Sequence, residues 1–252
     1  MNAAAVISAL GLPAAARVDR RVPKTLLVEH GAPTAADKRR INEGIEEVQW
    51  VATLKPTTIG VPAVRDQMRE YLEIAVLSVA LRPEVRTDRL AELIHRAVPY
   101  PVFLAVSEGA SLTLSLAHKR WSQGTVGATV LDGEPVAATL TGSEPCGVES
   151  SFREALLLAR QPRADLYALY QGWIDALLAL LVARVTGRFA LATAPHQATT
   201  RREALRECAR LDAEIARLRA VAAREKQVAR QVALNLELKC AEAARATALA
   251  RL

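Results

Sequence analysis

Aromatic residues are scarce in this chain of 252 residues: three Phe, three Trp and four Tyr, or 4%, against an apolar fraction of 51%. The core must therefore be built from Leu, Val, Ile and Ala, the composition of helix-rich proteins, and surfaces that stack bases on rings are hard to build from so few aromatics. Cysteine is scarcer still. Cys146, Cys208 and Cys240 are odd in number, far apart and without CxxC spacing, which excludes a disulfide framework and reads as the reduced thiols of a cytoplasmic protein. The four histidines, His30, His95, His118 and His196, show no HxxxH spacing and no nearby Cys, so no metal site is expected. Neither GxxxxGK[ST] nor GxGxxG occurs, and with them go the usual phosphate-cradling loops and any expected nucleotide cofactor.

Long hydrophobic runs are also missing. Trp173 to Val185 contains Asp175 and Arg184 and falls short of the ~20 residues that span a bilayer. The Ala-rich stretch from Ala3 to Ala16 lacks a basic leading segment and is broken by Gly11 and Pro13, unlike a secretory signal. No membrane association is expected.

The net charge is +6, but its distribution says more than its sum. Residues 200–252 hold 12 Lys and Arg against 7 Asp and Glu, which leaves 21 against 20 for residues 1–199. The positive excess belongs almost wholly to the C-terminal region.

Periodicity gives an α+β architecture. Val48, Trp50, Ala52 and Leu54 alternate with polar residues up to Lys55-Pro56, the pattern of a half-buried strand. Leu72 to Leu81 is nearly continuous in apolar residues and predicts a central strand, although a buried helix has the same signature. Leu90, Leu93, Ile94 and Ala97 recur at helical spacing before Pro99. Val102–Val106 and Leu112–Leu116 then flank Ser107-Glu108-Gly109-Ala110 as a hairpin. With a helix at Thr34 to Gly44, opened by a capping pattern of Thr34 and Asp37, the order β-β-α-β-β predicts an antiparallel sheet with helices on one face. Residues 122–148, including Val126 to Leu131 and Val136 to Leu140, read either as an edge hairpin or as a loop.

The C-terminal half reads as helical. Leu166, Leu169, Tyr170, Trp173, Leu177, Leu180 and Leu181 form one stripe, with Gly187 placed to end it. Past a linker at Ala190 to Gln197, Thr200 and Glu203 predict the start of one long helix of roughly 45 to 50 residues. Cys208, Leu211, Ile215, Leu218, Ala222, Glu225, Ala229, Val232 and Leu236 follow the 3-4 spacing of a coiled-coil seam along it. Such a seam needs a partner. A second copy giving a homodimer, the Leu166 to Leu181 helix and another protein are the three alternatives, and Leu211, Ile215, Leu218, Val232 and Leu236 are the expected association residues. The domain organisation expected is 1–148 for the α+β part, 149–188 for a helical region and 198–250 for the long helix.

No compact catalytic motif is present, and no catalytic residue is assigned. Lys55, Asp66 and Glu73 are loose candidates for a metal-dependent nuclease, but no Glu-x-Lys stands on a predicted strand. Lys38, Arg39 and Arg40 follow the first turn of a helix, and Lys119, Arg120 and Trp121 end the hairpin. Basic groups beside an indole suit phosphate contact and base stacking, so these six are the candidate nucleic-acid-binding residues. A solvated helix face and an ordinary strand end are the alternative. The cations studding residues 201–230 alternate with Glu and Asp, as on a salt-bridged helix exterior.

The runs GAPTAADKRRINEGIEEVQWVATLKPTTIGVP, REYLEIAVLSVALR, ELIHRAVPYPVFLAV, LSLAHKRW and EKQVARQVALNLELK resemble a bacterial family of proteins of unknown function, encoded in phage-defence and restriction-modification-like gene islands. Lys24, Asp37, Lys38, Trp50, Pro99, Tyr100, Pro101, His118, Lys119 and Arg120 match its pattern. The resemblance implies helicases, of the Swi/Snf or restriction-subunit kind, and DNA methyltransferases as neighbours. It implies no mechanism. The function expected is a non-enzymatic component of an antiviral defence system that binds DNA, a helicase or a methyltransferase and assembles through its C-terminal helix; the alternative is a metal-dependent nuclease or other effector.

Overall fold

A computed structural model describes residues 2–83, 87–125, 127–140 and 147–252. Cys146 and Val126, named above, lie outside the described residues. The chain divides into one unit ending at Leu180 and a second from Leu181 to Leu252.

The first unit contains α1 (Ala3–Ala9), β1 (Arg17–Arg21), α2 (Lys24–Gly31), α3 (Ala35–Gly44), β2 (Ile45–Leu54), the single turn α4 (Pro56–Ile59), β3 (Val64–Arg65), β4 (Glu70–Tyr71), β5 (Ile74–Leu81), α5 (Thr87–Ala97), β6 (Val102–Glu108), β7 (Ser111–Leu116), β8 (Lys119–Trp121), β9 (Thr129–Leu131), β10 (Val136–Leu140) and α6 (Val148–Leu156). The helix α7 (Leu166–Thr186) begins in it. Six strands form the main sheet in the order β1-β2-β5-β6-β7-β10, while β3 with β4 and β8 with β9 make two small ribbons.

The α+β class holds, and all four expected strands are present. Thr34 caps α3 as its spacing predicts, its Oγ1 accepting from the Asp37 N–H at 3.1 Å. The hairpin is present too: β6 and β7 pair antiparallel, with Gly109 at φ 56° in the turn. Between the two readings of the region from residue 122, the described residues 129–131 and 136–140 are strands, β9 pairing with β8 and β10 becoming the edge beside β7.

Two features of the predicted sheet are corrected. Four of the five described pairings of the main sheet are antiparallel, as expected, but β5 and β6 run parallel, because α5 is a crossover that returns the chain to a strand beside β5, pairing Ala75 with Val102 through Leu81 with Glu108. Helices also cover both of its faces. Ala75, Leu77 and Val79 of β5 pack in a core with Leu27 of α2, Ile41 of α3 and Leu90, Leu93 and Ile94 of α5. On the opposite face Phe103 meets Trp173 of α7 edge-on, ring centres 5.2 Å apart, and the Trp173 indole donates to the Leu156 carbonyl of α6 at 2.9 Å. A strand apolar at nearly every position requires cover on both sides, which is why β5 is almost continuously buried. The edge strand β1 is exposed throughout, and its Arg17, Arg20 and Arg21 discourage pairing with another sheet.

α7 is long and apolar enough to cross a bilayer, yet 67% of its most apolar window is buried inside the protein. It is a core helix here. Gly187, at φ 76°, ends it by donating to the Ala183 carbonyl at 2.7 Å.

In the second unit the single long helix is replaced by two: α8 (Pro195–Ala222) and α9 (Val228–Leu249). α8 begins ahead of the expected Thr200 cap, and the chain reverses at residues 223–227. The Glu225 carboxylate accepts from the Lys226 and Gln227 N–H groups, both at 2.8 Å, and so supplies acceptors that a continuing helix would have drawn from its own carbonyls. The two helices lie antiparallel. Arg219 meets Glu242 at 2.7 Å, Arg245 holds Asp212, and Arg201 donates to the Leu252 carbonyl at 2.9 Å.

The turn changes the register of the seam. Cys208, Leu211, Ile215 and Leu218 of α8 are buried, whereas Leu234, Leu238, Ala241, Arg245 and Ala248 are the less exposed positions along α9. These recur at the same 3-4 spacing, but Val232 and Leu236 are not among them and are 54% and 59% exposed.

Gly31 lies where α2 crosses α5: a Cβ there would stand 2.6 Å from the Leu93 carbonyl oxygen and 2.7 Å from the Ala97 Cβ. Gly31→Ala should therefore push the helices apart and cost about 1–3 kcal/mol, as overpacking does. Urea unfolding followed by circular dichroism measures this; an unchanged midpoint would contradict the close crossing.

Candidate nucleic-acid interface and the His118 network

The six candidate nucleic-acid residues separate into different roles. Lys119 is 1% exposed. Its ammonium donates to the carbonyls of His95 and, at 2.5 Å, Val98. These belong to the last turn of α5 and the residue beyond it, where unpaired carbonyls and the helix dipole favour a cation. Burial pulls its pKa down to about 8. Lys119 is therefore a helix-terminating clip with no access to a phosphate, a correction to the sequence expectation.

Arg40 is also engaged, pairing with Asp37 at 3.2 Å. Asp37 is nearly inaccessible and receives both forks of Arg89, at 3.1 and 2.9 Å; that hydrogen-bonded guanidinium, with Thr34 and Arg40, holds its carboxyl down to about 2. Lys38 and Arg39 remain exposed on α3, Arg39 standing 3.8 Å from Glu43.

Arg120 and Trp121 face open space. Arg120 lines a groove of about 1330 Å³ between α5, β9 and β10, together with Arg89, Arg96, Asp88, Glu92 and Glu134. Trp121 lines a second groove of about 560 Å³ with Arg65, Leu72 and Tyr100. Arg96 and Thr129 line both, so the two are neighbours across the β8–β9 ribbon. The Arg65 guanidinium lies 5.6 Å from the centre of the Trp121 ring, and the indole N–H donates to the Asp66 carbonyl at 3.1 Å. The ring's orientation is thus fixed.

Sequence reasoning missed a chain of polar contacts on the other side of Lys119. The Lys119 N–H donates to the Tyr71 hydroxyl at 3.2 Å, leaving the phenolic proton for His118 Nδ1 at 2.6 Å. On the far side of the ring, Gln171 Nε2 donates to Asp175 at 2.8 Å, which turns Gln171 Oε1 toward His118 Nε2 at 2.7 Å. An imidazole accepting at Nδ1 and donating at Nε2 is neutral. Tyr167 stacks on His118 at 4.7 Å and carries the Arg69 guanidinium 4.3 Å from its own ring centre. Burial raises the pKa of Tyr71 and of Asp175, so the tyrosine stays protonated. The arrangement binds β4, β8 and α7 together and presents no activated nucleophile. Its members are 47 and 53 residues apart, beyond any local spacing rule.

The nuclease candidates do not assemble into a site. Lys55 pairs with Glu73 at 2.8 Å, and the Asp66 carboxylate accepts the N–H groups of Met68 and Arg69 at 2.6 and 2.8 Å, as in an Asx turn. Those backbone bonds lower its pKa. Among the described residues no three His, Cys, Asp or Glu side chains gather as metal ligands.

Two measurements probe the Lys119 clip. Lys119→Met leaves buried carbonyls without their donor and should lower stability by about 1–3 kcal/mol in urea unfolding. The neighbouring His95 is fully buried, shares a 3.0 Å contact with the Ser115 hydroxyl, and is pushed down to about 3 by burial and then by the Lys119 charge. An unfolded imidazole binds its proton near pH 6.5, so the stability from the neutral ring is complete above that value and is lost as the pH falls through it toward 3. His95→Gln should remove that slope from unfolding curves taken between neutral and acid pH.

No curated protein and no solved structure matches the chain. One family model does, described as Domain of unknown function (DUF4391), and its match runs over residues 10–244. With nearly its whole length inside that match, the chain belongs to the DUF4391 family.

Proposed function

We propose that this chain is a non-enzymatic, cytoplasmic component of a bacterial anti-phage defence system, one that binds DNA beside a helicase or DNA methyltransferase and assembles through its C-terminal helices. The observation that carries the DNA-binding part is the meeting of the two grooves at Arg96 and Thr129, with Arg120 on one side and Trp121, Tyr100 and Arg65 on the other. Cations along a groove track a phosphate backbone, and rings within it stack on unpaired bases. Single-stranded DNA suits that combination better than a duplex, whose bases are already stacked. The groove cations are partly balanced by Glu70, Glu92 and Asp132, which favours weak, salt-sensitive binding. A nuclease reading has less support, since Lys55 and two backbone N–H groups already occupy Glu73 and Asp66.

Fluorescence anisotropy with labelled single- and double-stranded oligonucleotides tests the reading. Trp121→Ala should weaken single-strand binding by roughly tenfold, in keeping with about 1–3 kcal/mol per stacked base. Arg65→Ala and Arg120→Ala should each flatten the dependence of log affinity on log salt by about one phosphate contact, while Lys119→Met leaves it unchanged. Wild-type protein without measurable affinity at low salt, or groove variants that bind as it does, would overturn the proposal.

A further inference from the structure

Four arginines that line the grooves are each held by a carboxylate: Arg65 by Glu70, Arg89 by Asp37 and Glu92, Arg96 by Glu92, and Arg120 by Asp132. Arg69, just beyond the grooves, is different. Among the described residues it enters no ion pair, and its guanidinium stands 4.3 Å from the centre of the Tyr167 ring. The residue is half-buried. A ring face offsets part of the cost of taking a cation out of water, but a cation–π contact uses the charge and leaves the N–H donors of the guanidinium to another acceptor.

Two sets of contacts fix where that cation sits. The turn between β3 and β4 is closed by the Asp66 N–H, which donates to the Arg69 carbonyl at 2.9 Å, while the Asp66 carboxylate is taken up with the Met68 and Arg69 N–H groups. The same turn is fastened to β8, since the Trp121 N–H donates to the Met68 carbonyl at 2.9 Å and the indole to the Asp66 carbonyl. Arg65 and Arg69 therefore stand at the two ends of one short turn bonded to Trp121. From the other side, the Tyr167 ring beneath Arg69 stacks on His118, which is itself bound between Tyr71 and Gln171. A guanidinium set in place this way loses little freedom when it takes an anion.

We propose that Arg69 binds a phosphate of the single strand whose base stacks on Trp121, so that the arginines at the two ends of the turn take the phosphates flanking that base. This rests on the DNA reading above and gives the strand a course, past the indole and onto the Tyr167–His118 stack. Met68 and Leu72, 58% and 48% exposed beside the same turn, supply apolar surface for the neighbouring base. An arginine fork matches phosphate oxygens in shape as well as charge.

Anisotropy titrations of a labelled oligothymidylate over a range of salt test the contact. Arg69→Gln should lower the slope of log affinity on log salt by about 0.7, the share of one single-strand phosphate, which is about fivefold in affinity per tenfold change of salt. Arg69→Lys should restore the slope, because a phosphate contact needs the charge, whereas a purely structural arginine would not be replaced by a flexible ammonium. An Arg69→Gln protein with the wild-type slope, or an Arg69→Lys protein as flat as Arg69→Gln, would overturn the proposal. If either occurs while Trp121→Ala still weakens binding, Arg69 is removed from the path and the DNA reading stands; a wild type that does not bind the oligothymidylate at low salt would sink both.

Discussion

The buried ammonium of Lys119, set on the carbonyls of His95 and Val98, is the contact on which the geometry of the first unit depends. α5 crosses from β5 to β6 and must stop, turn through Pro99 to Pro101 and enter a strand parallel to the one it left. A helix ending inside a protein leaves carbonyls unpaired, and a lysine from β8 supplies their donors. The same residue gives its N–H to Tyr71 and so starts the chain that runs through His118 to Gln171 and Asp175. One side chain thus fixes the end of α5, while its backbone ties β8 to β4. Lys24 does comparable work for α3, donating to the carbonyls of Asn42 and Ile45 at 3.0 and 2.8 Å.

With β8 held there, its two remaining residues are turned outward. Arg120 and Trp121 reach opposite sides of the small ribbon, which is how two grooves come to share Arg96 and Thr129. The parallel β5–β6 pair matters for the same reason. A crossover helix places the arginines of α5 beside the last strands of the sheet, where a simple meander would have left that face to short turns. The arginines are steadied from beneath: Arg89 by Asp37 and Glu92, and Arg96 by Glu92 at 2.6 Å.

The second unit follows a different logic, in which a five-residue turn decides which apolar residues are hidden. Once the chain reverses at Glu225, the less exposed face of α9 falls on Leu234, Leu238, Ala241 and Ala248, and the face carrying Val232 and Leu236 turns to solvent. Ion pairs between the helices, such as Arg219 with Glu242, absorb part of the positive excess that the sequence concentrates here. Exposed pairs of this kind contribute little stability individually. They fix the alignment of the hairpin more than they strengthen it.

The α+β class, the four central strands, the Thr34 cap, the β6–β7 turn at Gly109 and the helical character of residues 149–188 and 198–250 were legible in the sequence, because each depends on side-chain period or on chemistry within a few residues. What is paired across long separations was not: the parallel partner of β5, the helices on both sheet faces, the burial of Lys119, and the network linking Tyr71, His118 and Asp175. The helix expected from Thr200 starts earlier, at Pro195, and is broken by the turn around Glu225. A 3-4 apolar pattern continues across Glu225 on paper, and periodicity cannot tell a helix that runs on from one that folds back, since both repeat at the same spacing. The difference lies in the energy of packing α9 against α8, a contact between residues tens of positions apart that no local window contains.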